Sequence, residues 1–178
     1  MNGILIVGVV QAFDPPNVVL LIGLAALLAL QLILDGIRLA VPRANVLFFR
    51  IFAPFVTPRE EGGIASSTWY VLGALLAFAL FPRTAAIGGI VVLALADPTA
   101  NLVGRLWGRI PFGVDGTLEG TTAFFVMGVA SLLVLVDPVA AAVAAAAATT
   151  AERLPLPLDD NLTIPLATGA ALWLMGIG

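Results

Sequence analysis

Asp97, Asn101 and Arg105 recur at every fourth residue, so on a helix they form one polar stripe. Asp97 follows the apolar run Val91-Val92-Leu93-Ala94-Leu95-Ala96, where a carboxylate is costly unless it is paired, hydrated or bound to metal. Pro98 has no N–H for the carbonyl four residues back, which opens backbone that could also face an ion. The stripe could hold a metal near a phosphate, cap a helix after a break, or pack the polar interior of a bundle.

Two further clusters invite the same question. Glu119 starts a helix after Gly116 and Thr117 and is followed by Gly120 and Thr121. Amide groups at a helix start favour an anion, so this loop could hold phosphate while Glu119 serves a metal or a hydroxyl; an ordinary helix N-terminus reads the same way. Asp159-Asp160-Asn161 precedes Leu162-Thr163-Ile164-Pro165. Adjacent carboxylates repel unless a cation neutralises them, and a helix cap needs only one. Acidic groups, Arg105 and a Gly-rich loop suit phosphoryl transfer to an alcohol: magnesium for charge, arginine and amides for phosphates, a carboxylate for the proton. An ion or solute transporter also needs buried acids and broken helices, and these residues fit it equally.

Composition narrows the setting. The 178 residues are 61% hydrophobic and 11% charged, with mean hydropathy +1.10, against about 25% charged in ordinary soluble domains. The expectation is an all-α, polytopic integral membrane helix bundle of about six to seven hydrophobic segments, one domain over 1–178. Cysteine, histidine and lysine are absent. That excludes disulfides, thiolate and imidazole chemistry, Schiff bases and a P-loop lysine, and leaves any metal to carboxylates and carbonyls, which favours magnesium or manganese.

The expected elements follow from apolar runs and breakers. Residues 3–12 read as a truncated first helix or re-entrant piece of a mature chain start, 18–37 as the clearest span, and 38–64 either as an interfacial segment with its aromatics in lipid and its arginines among head groups or as an apolar loop. Further spans are expected at 65–82, with Trp69 and Tyr70 at interface depth, at 84–107, interrupted at Asp97-Pro98, and at 119–136, 139–151 and 161–178, with loops at 108–118 and 154–160. Alternation then puts Arg38, Arg43, Arg50, Arg59, Arg105, Arg109 and Arg153 on the cytoplasmic side and Arg83 opposite. This places the chain as a multi-pass protein, in a prokaryotic plasma membrane, with polar loops cytoplasmic and no nucleic-acid partner.

The order of several blocks resembles the CTP-dependent lipid alcohol kinase family, which groups dolichol kinase, phytol kinase and CTP-dependent diacylglycerol kinase and is related to phosphatidate cytidylyltransferases. The blocks are Pro42-Arg43-Ala44-Asn45, Arg59-Glu60, Ser66-Ser67-Thr68-Trp69-Tyr70, Leu95 through Gly108, Thr117-Leu118-Glu119-Gly120-Thr121, Glu152 and Asp160-Asn161-Leu162-Thr163-Ile164-Pro165. The resemblance implies a CTP- and Mg2+-dependent kinase acting on the hydroxyl of a polyprenol, phytol-like lipid or diacylglycerol. It implies Asp97, Glu119 and Asp160 as catalytic groups, Asp97 and Asp160 as metal ligands, and Asn101, Arg105, Arg109, Gly116, Thr117, Gly120, Thr121 and Asn161 as nucleotide-binding residues. A cytidylyltransferase-like enzyme and a non-catalytic transporter-like or scaffold protein are the alternatives.

Two departures from that pattern stand out. The family usually has a lysine three residues before the Glu, where this chain has Gly116, with Val114 and Asp115 in place of nearby basic residues. Losing that phosphate-contacting cation costs transition-state stabilisation unless Arg109 or Arg105 takes its place. The family's amino-terminal Arg-Lys pair and following histidine are also absent.

Overall fold

In a computed structural model, the chain is described over residues 2–52, 58–113, 116–155 and 158–178. Among the described residues there are eight α-helices: α1 Asn2–Phe13, α2 Asn17–Ala40, α3 Pro42–Ile51, α4 Ser66–Leu80, α5 Arg83–Trp107, α6 Leu118–Leu132, α7 Pro138–Arg153 and α8 Asp160–Leu174. A 3-10 turn, Pro58–Gly62, precedes α4. The expected 108–118 loop contains a small antiparallel hairpin, β1 Pro111–Phe112 with β2 Gly116–Thr117, pairing Pro111 with Thr117 and Phe112 with Gly116. The architecture is an all-α bundle with this hairpin as an appendage.

The expected number of spans is not met. Among the described residues two helices, α2 (24 residues) and α5 (25 residues), are long and apolar enough to cross a membrane. The helices α4, α6 and α8 have 15 residues each and α7 has 16, and 15 residues reach about 22 Å against a hydrocarbon core of about 30 Å. The apolar runs were longer than the helices they form, because parts of them turn the chain, as Leu133 to Val136 does after α6. Half of the apolar window of α5 is buried against other helices, so its hydropathy also serves the protein core. The six-to-seven-span topology therefore falls, and with it the multi-pass plasma-membrane placement and the cytoplasmic assignment of loops, which rested on alternation between spans.

Helix starts follow local chemistry. Pro16 and Pro82 stand immediately before α2 and α5, and Pro138 is the first residue of α7, behind Asp137, whose carboxylate accepts from the Val139 and Ala140 amides. Two core clusters meet at α5. Val92, Phe124, Leu132, Ile164 and Leu172 belong to one, joining α5 to α6, α7 and α8; Val10, Leu24, Val71, Phe78 and Ile90 belong to the other, joining it to α1, α2 and α4. The helix α7 meets its neighbours through buried alanines at 140, 141, 144, 145, 148 and 151.

Two devices fix the helices relative to one another. Pro165 lies inside α8 and offers no N–H to the Asn161 carbonyl. The side chains missing at Gly73 and Gly89 make room for this stretch: a Cβ at Gly73 would collide with the Asn161 oxygen, and one at Gly89 would lie 2.5 Å from the Pro165 oxygen and 2.9 Å from its Cα. The second device is a buried charge node. Arg38 (3% exposed) donates from Nε to Asp35 Oδ1 at 2.7 Å and from Nη1 to the Glu60 carbonyl at 2.8 Å and Asn45 Oδ1 at 3.1 Å. Asp35 Oδ2 accepts from the Ala65 amide at 3.1 Å and Thr68 Oγ1 at 2.8 Å. Arg38 therefore joins α2 to the start of α4 and does not lie among head groups. The rest of the 38–64 segment carries α3, which buries no residue, and the 3-10 turn; residues 53–57 of that segment lie outside the described residues.

Gly89→Ala should lower stability by about 1–3 kcal/mol, the overpacking penalty exceeding the helix-propensity gain, whereas Gly23→Ala, at a position open to space, should raise it by up to about 1 kcal/mol. Denaturant midpoints of both variants check the pair. Arg38→Ala should cost about 3–5 kcal/mol by leaving Asp35 charged and unpaired, and Asp35→Leu/Arg38→Met should recover a large part of that loss in the same titration.

Candidate active site

The α5 stripe forms as its spacing requires, but without the break expected at Asp97-Pro98: α5 is continuous from Arg83 to Trp107. Asn101 Nδ2 donates to Asp97 Oδ1 at 3.2 Å and to the Asp97 carbonyl at 3.1 Å. Thr99 Oγ1 donates back to the Leu95 carbonyl at 2.6 Å, satisfying backbone next to the proline. Arg105, one turn on, is exposed.

The start of α8 faces this stripe. Asp159 is the cap: its Oδ1 accepts from the Asn161 amide at 3.0 Å and from Asn161 Nδ2 at 2.6 Å. Asp160 is not used by the cap and stands in the first turn. Partial burial, then Glu152, Asp159 and Asp97, push its carboxyl up to about 6, with Arg153 acting in the opposite direction. Asp97 in turn feels Glu152, Asp159 and Arg153. The structure thus brings Asp97, Asn101, Asp160 and Asn161 together, and adds Glu152 and Arg153 from the end of α7.

Glu119 is placed differently. Its carboxylate is held below the usual range by backbone N–H groups, its own and that of Arg109 first, and it accepts from the Ile110 amide at 3.3 Å. Arg109 is exposed on the same loop and acts on Glu119. Thr117 caps α6, accepting from the Gly120 amide at 3.1 Å, and Thr121 Oγ1 donates to the Thr117 carbonyl at 3.0 Å. Gly120 lets α6 approach α5: a Cβ there would lie 3.0 Å from the Ala100 oxygen and 3.4 Å from Gly104 Cα. Gly116 lies under the Arg153 side chain, and a Cβ at 116 would fall on Arg153 Nη1, with Cζ at 2.6 Å and Nη2 at 3.1 Å. Val114 and Asp115 lie outside the described residues.

Sequence reasoning passed over Arg153 as a site residue, and no local signal marks it, since its contact with Gly116 joins distant segments. It also set Tyr70 at a membrane interface; the Tyr70 hydroxyl is instead buried, without a hydrogen-bond partner among the described residues, near Asp97. No three acidic side chains among the described residues converge as a preformed metal cage. Magnesium does not require one, because it commonly takes one or two carboxylates with waters and substrate phosphates, and the crowding of negative charge on Asp160 is the donor chemistry that such an ion neutralises.

No family model and no solved structure matches the chain. Among curated proteins, it is 33% identical over 105 residues to CTP-dependent diacylglycerol kinase 1 of Eremothecium gossypii, covering 58% of this chain and 33% of that one. It is 26% identical over 170 residues to the protein of the same name in Schizosaccharomyces pombe, covering 79% and 74%. It is 26% identical over 165 residues to phytol kinase 1, chloroplastic, of Arabidopsis thaliana, covering 80% and 54%. The chain is a distant relative of CTP-dependent lipid kinases. The matched stretch spans about a third of the Eremothecium protein and about half of the phytol kinase. That link is consistent with enzymatic activity and with use of CTP.

Because the Asp160 carboxyl is raised in the fold, its stabilising contribution is present below the ordinary carboxylate range and is lost as pH rises through about 6. Asp160→Asn should therefore melt about 2 °C higher than wild type at pH 7 and level with it near pH 4, in thermal scans of the two proteins.

Proposed function

We propose that the chain transfers the γ-phosphoryl group of CTP to the hydroxyl of a lipid alcohol, of the polyprenol, phytol-like or diacylglycerol class. The observation that carries this reading is the meeting of Asp97–Asn101 on α5 with Asp160–Asn161 on α8, in a chain related to CTP-dependent lipid kinases.

Asp97 and Asp160 would hold a divalent cation, which would supply neutralisation of phosphate charge. Asn101 orients Asp97, and Asn161 is oriented by Asp159. The acceptor oxygen forms the new P–O bond while the bond to the β-phosphate oxygen breaks, the hydroxyl proton passes to a carboxylate of the cluster, and CDP leaves. The acceptor fits the exposed apolar side chains Ile4 and Leu5 at the start of α1, next to Gly3, where a Cβ would lie 2.8 Å from that of Ala94 on α5; a lipid chain lies along them without desolvating polar groups.

The test is a magnesium-dependent assay in mixed lipid micelles with CTP labelled at the γ-phosphate and polyprenol, phytol and diacylglycerol as acceptors. Wild type should label one lipid, and Asp97→Asn should reduce kcat about 100-fold or more. Release of pyrophosphate in place of CDP would give the cytidylyltransferase reading, and the absence of both label and CTP binding would overturn the proposal.

A further inference from the structure

We infer that Arg153 is the protein cation that binds the phosphates of the nucleotide, reaching from the end of α7 into the space that a side chain at position 116 would take. This rests on the kinase reading above and deepens it.

The geometry is specific. Arg153 is the last residue of α7, where the helix dipole favours a cation. Its Nε and Nη2 donate to the Glu152 carboxylate. Nη1, the nitrogen resting at Gly116, has no hydrogen-bond partner among the described residues. The aliphatic stem crosses the hairpin, with Cδ 3.4 Å from where a Cβ on Gly113 would stand, at a residue whose φ of +74° suits glycine. The guanidinium and any side chain at 116 compete for one volume, so glycine at 116 is the condition for Arg153 to lie there.

Electrostatics gives the position its purpose. Four carboxylates, Asp97, Glu152, Asp159 and Asp160, crowd this end of the bundle, and the cation that acts on both Asp97 and Asp160 is Arg153. A triphosphate entering beside these carboxylates needs a fixed positive group besides the metal ion. Arg105 is exposed a turn beyond Asn101, and Arg109 is exposed with its charge acting on Glu119, whereas the cation that acts on both Asp97 and Asp160 is Arg153. A guanidinium also offers the planar, forked donors that fit phosphate oxygens. Glu152 is then a positioning residue, holding the plane of that fork and leaving Nη1 for the ligand.

The experiment measures Mg2+-CTP affinity by calorimetry, and KM and kcat for CTP, in the full chain and four variants. Arg153→Gln should weaken binding and raise KM about 10- to 100-fold, and Gly116→Ala should do the same without changing charge, by evicting the guanidinium. Arg153→Lys should retain part of the affinity. Gly116→Lys/Arg153→Ala should recover most of it, because an ammonium then enters the vacated volume from the other side. A purely structural role for Arg153 would not be rescued by the relocated charge. Wild-type affinity in a folded Arg153→Gln protein, or no recovery in the folded double variant, overturns the inference while the kinase reading stands on wild-type transfer. A wild type that neither binds CTP nor transfers phosphate overturns both.

Discussion

The passage of α8 between Gly73 of α4 and Gly89 of α5 is the constraint on which the candidate site depends. A proline in α8 leaves its helix one hydrogen bond short at the Asn161 carbonyl, and both neighbouring helices give up a side chain to let that distorted backbone approach. The close approach fixes the height of Asp160 and Asn161 against the Asp97 turn of α5. Carboxylates on two helices meet because the backbones beneath them meet, and Asp159 then needs only to cap α8 for Asp160 to remain available.

The buried Asp35–Arg38 node works at the opposite scale of polarity. It gathers the end of α2, Asn45 of α3, the 3-10 turn and the first turn of α4 around two charges that would be expensive to bury singly. Each charge is satisfied by backbone or side-chain partners, so the node acts as a register for the amino-terminal helices. The apolar packing of α4 on α2 supplies area and the node supplies position.

The legibility of these features in the sequence follows from the range of the interactions. Asp97 and Asn101 were readable because one helical turn links them, and so was Asp160, because a cap accounts for one carboxylate of two. The kinase relationship was readable because ordered blocks survive at low identity. The span count was not, since hydropathy records that a run is apolar without recording where the helix ends or whether its side chains face one another, as the alanines of α7 do. Arg38 was misplaced because an arginine after an apolar run looks the same at a surface and in a paired interior. The contact of Arg153 with Gly116 is not legible at all, because it joins the end of α7 to a loop far earlier in the chain, and no local pattern records it.

Those alanines have a consequence for how the site is held. An alanine has no rotamer to choose, so the face that packs α7 into the bundle loses no side-chain entropy on folding and has none to regain by loosening. The α7 alanines come close to their neighbours, as at Gly128 of α6, where the Ala145 methyl sits against a glycine and an added Cβ would lie 3.2 Å from it. The post from which Glu152 and Arg153 project is therefore stiff, and the freedom left at that corner belongs to the torsions of one long side chain.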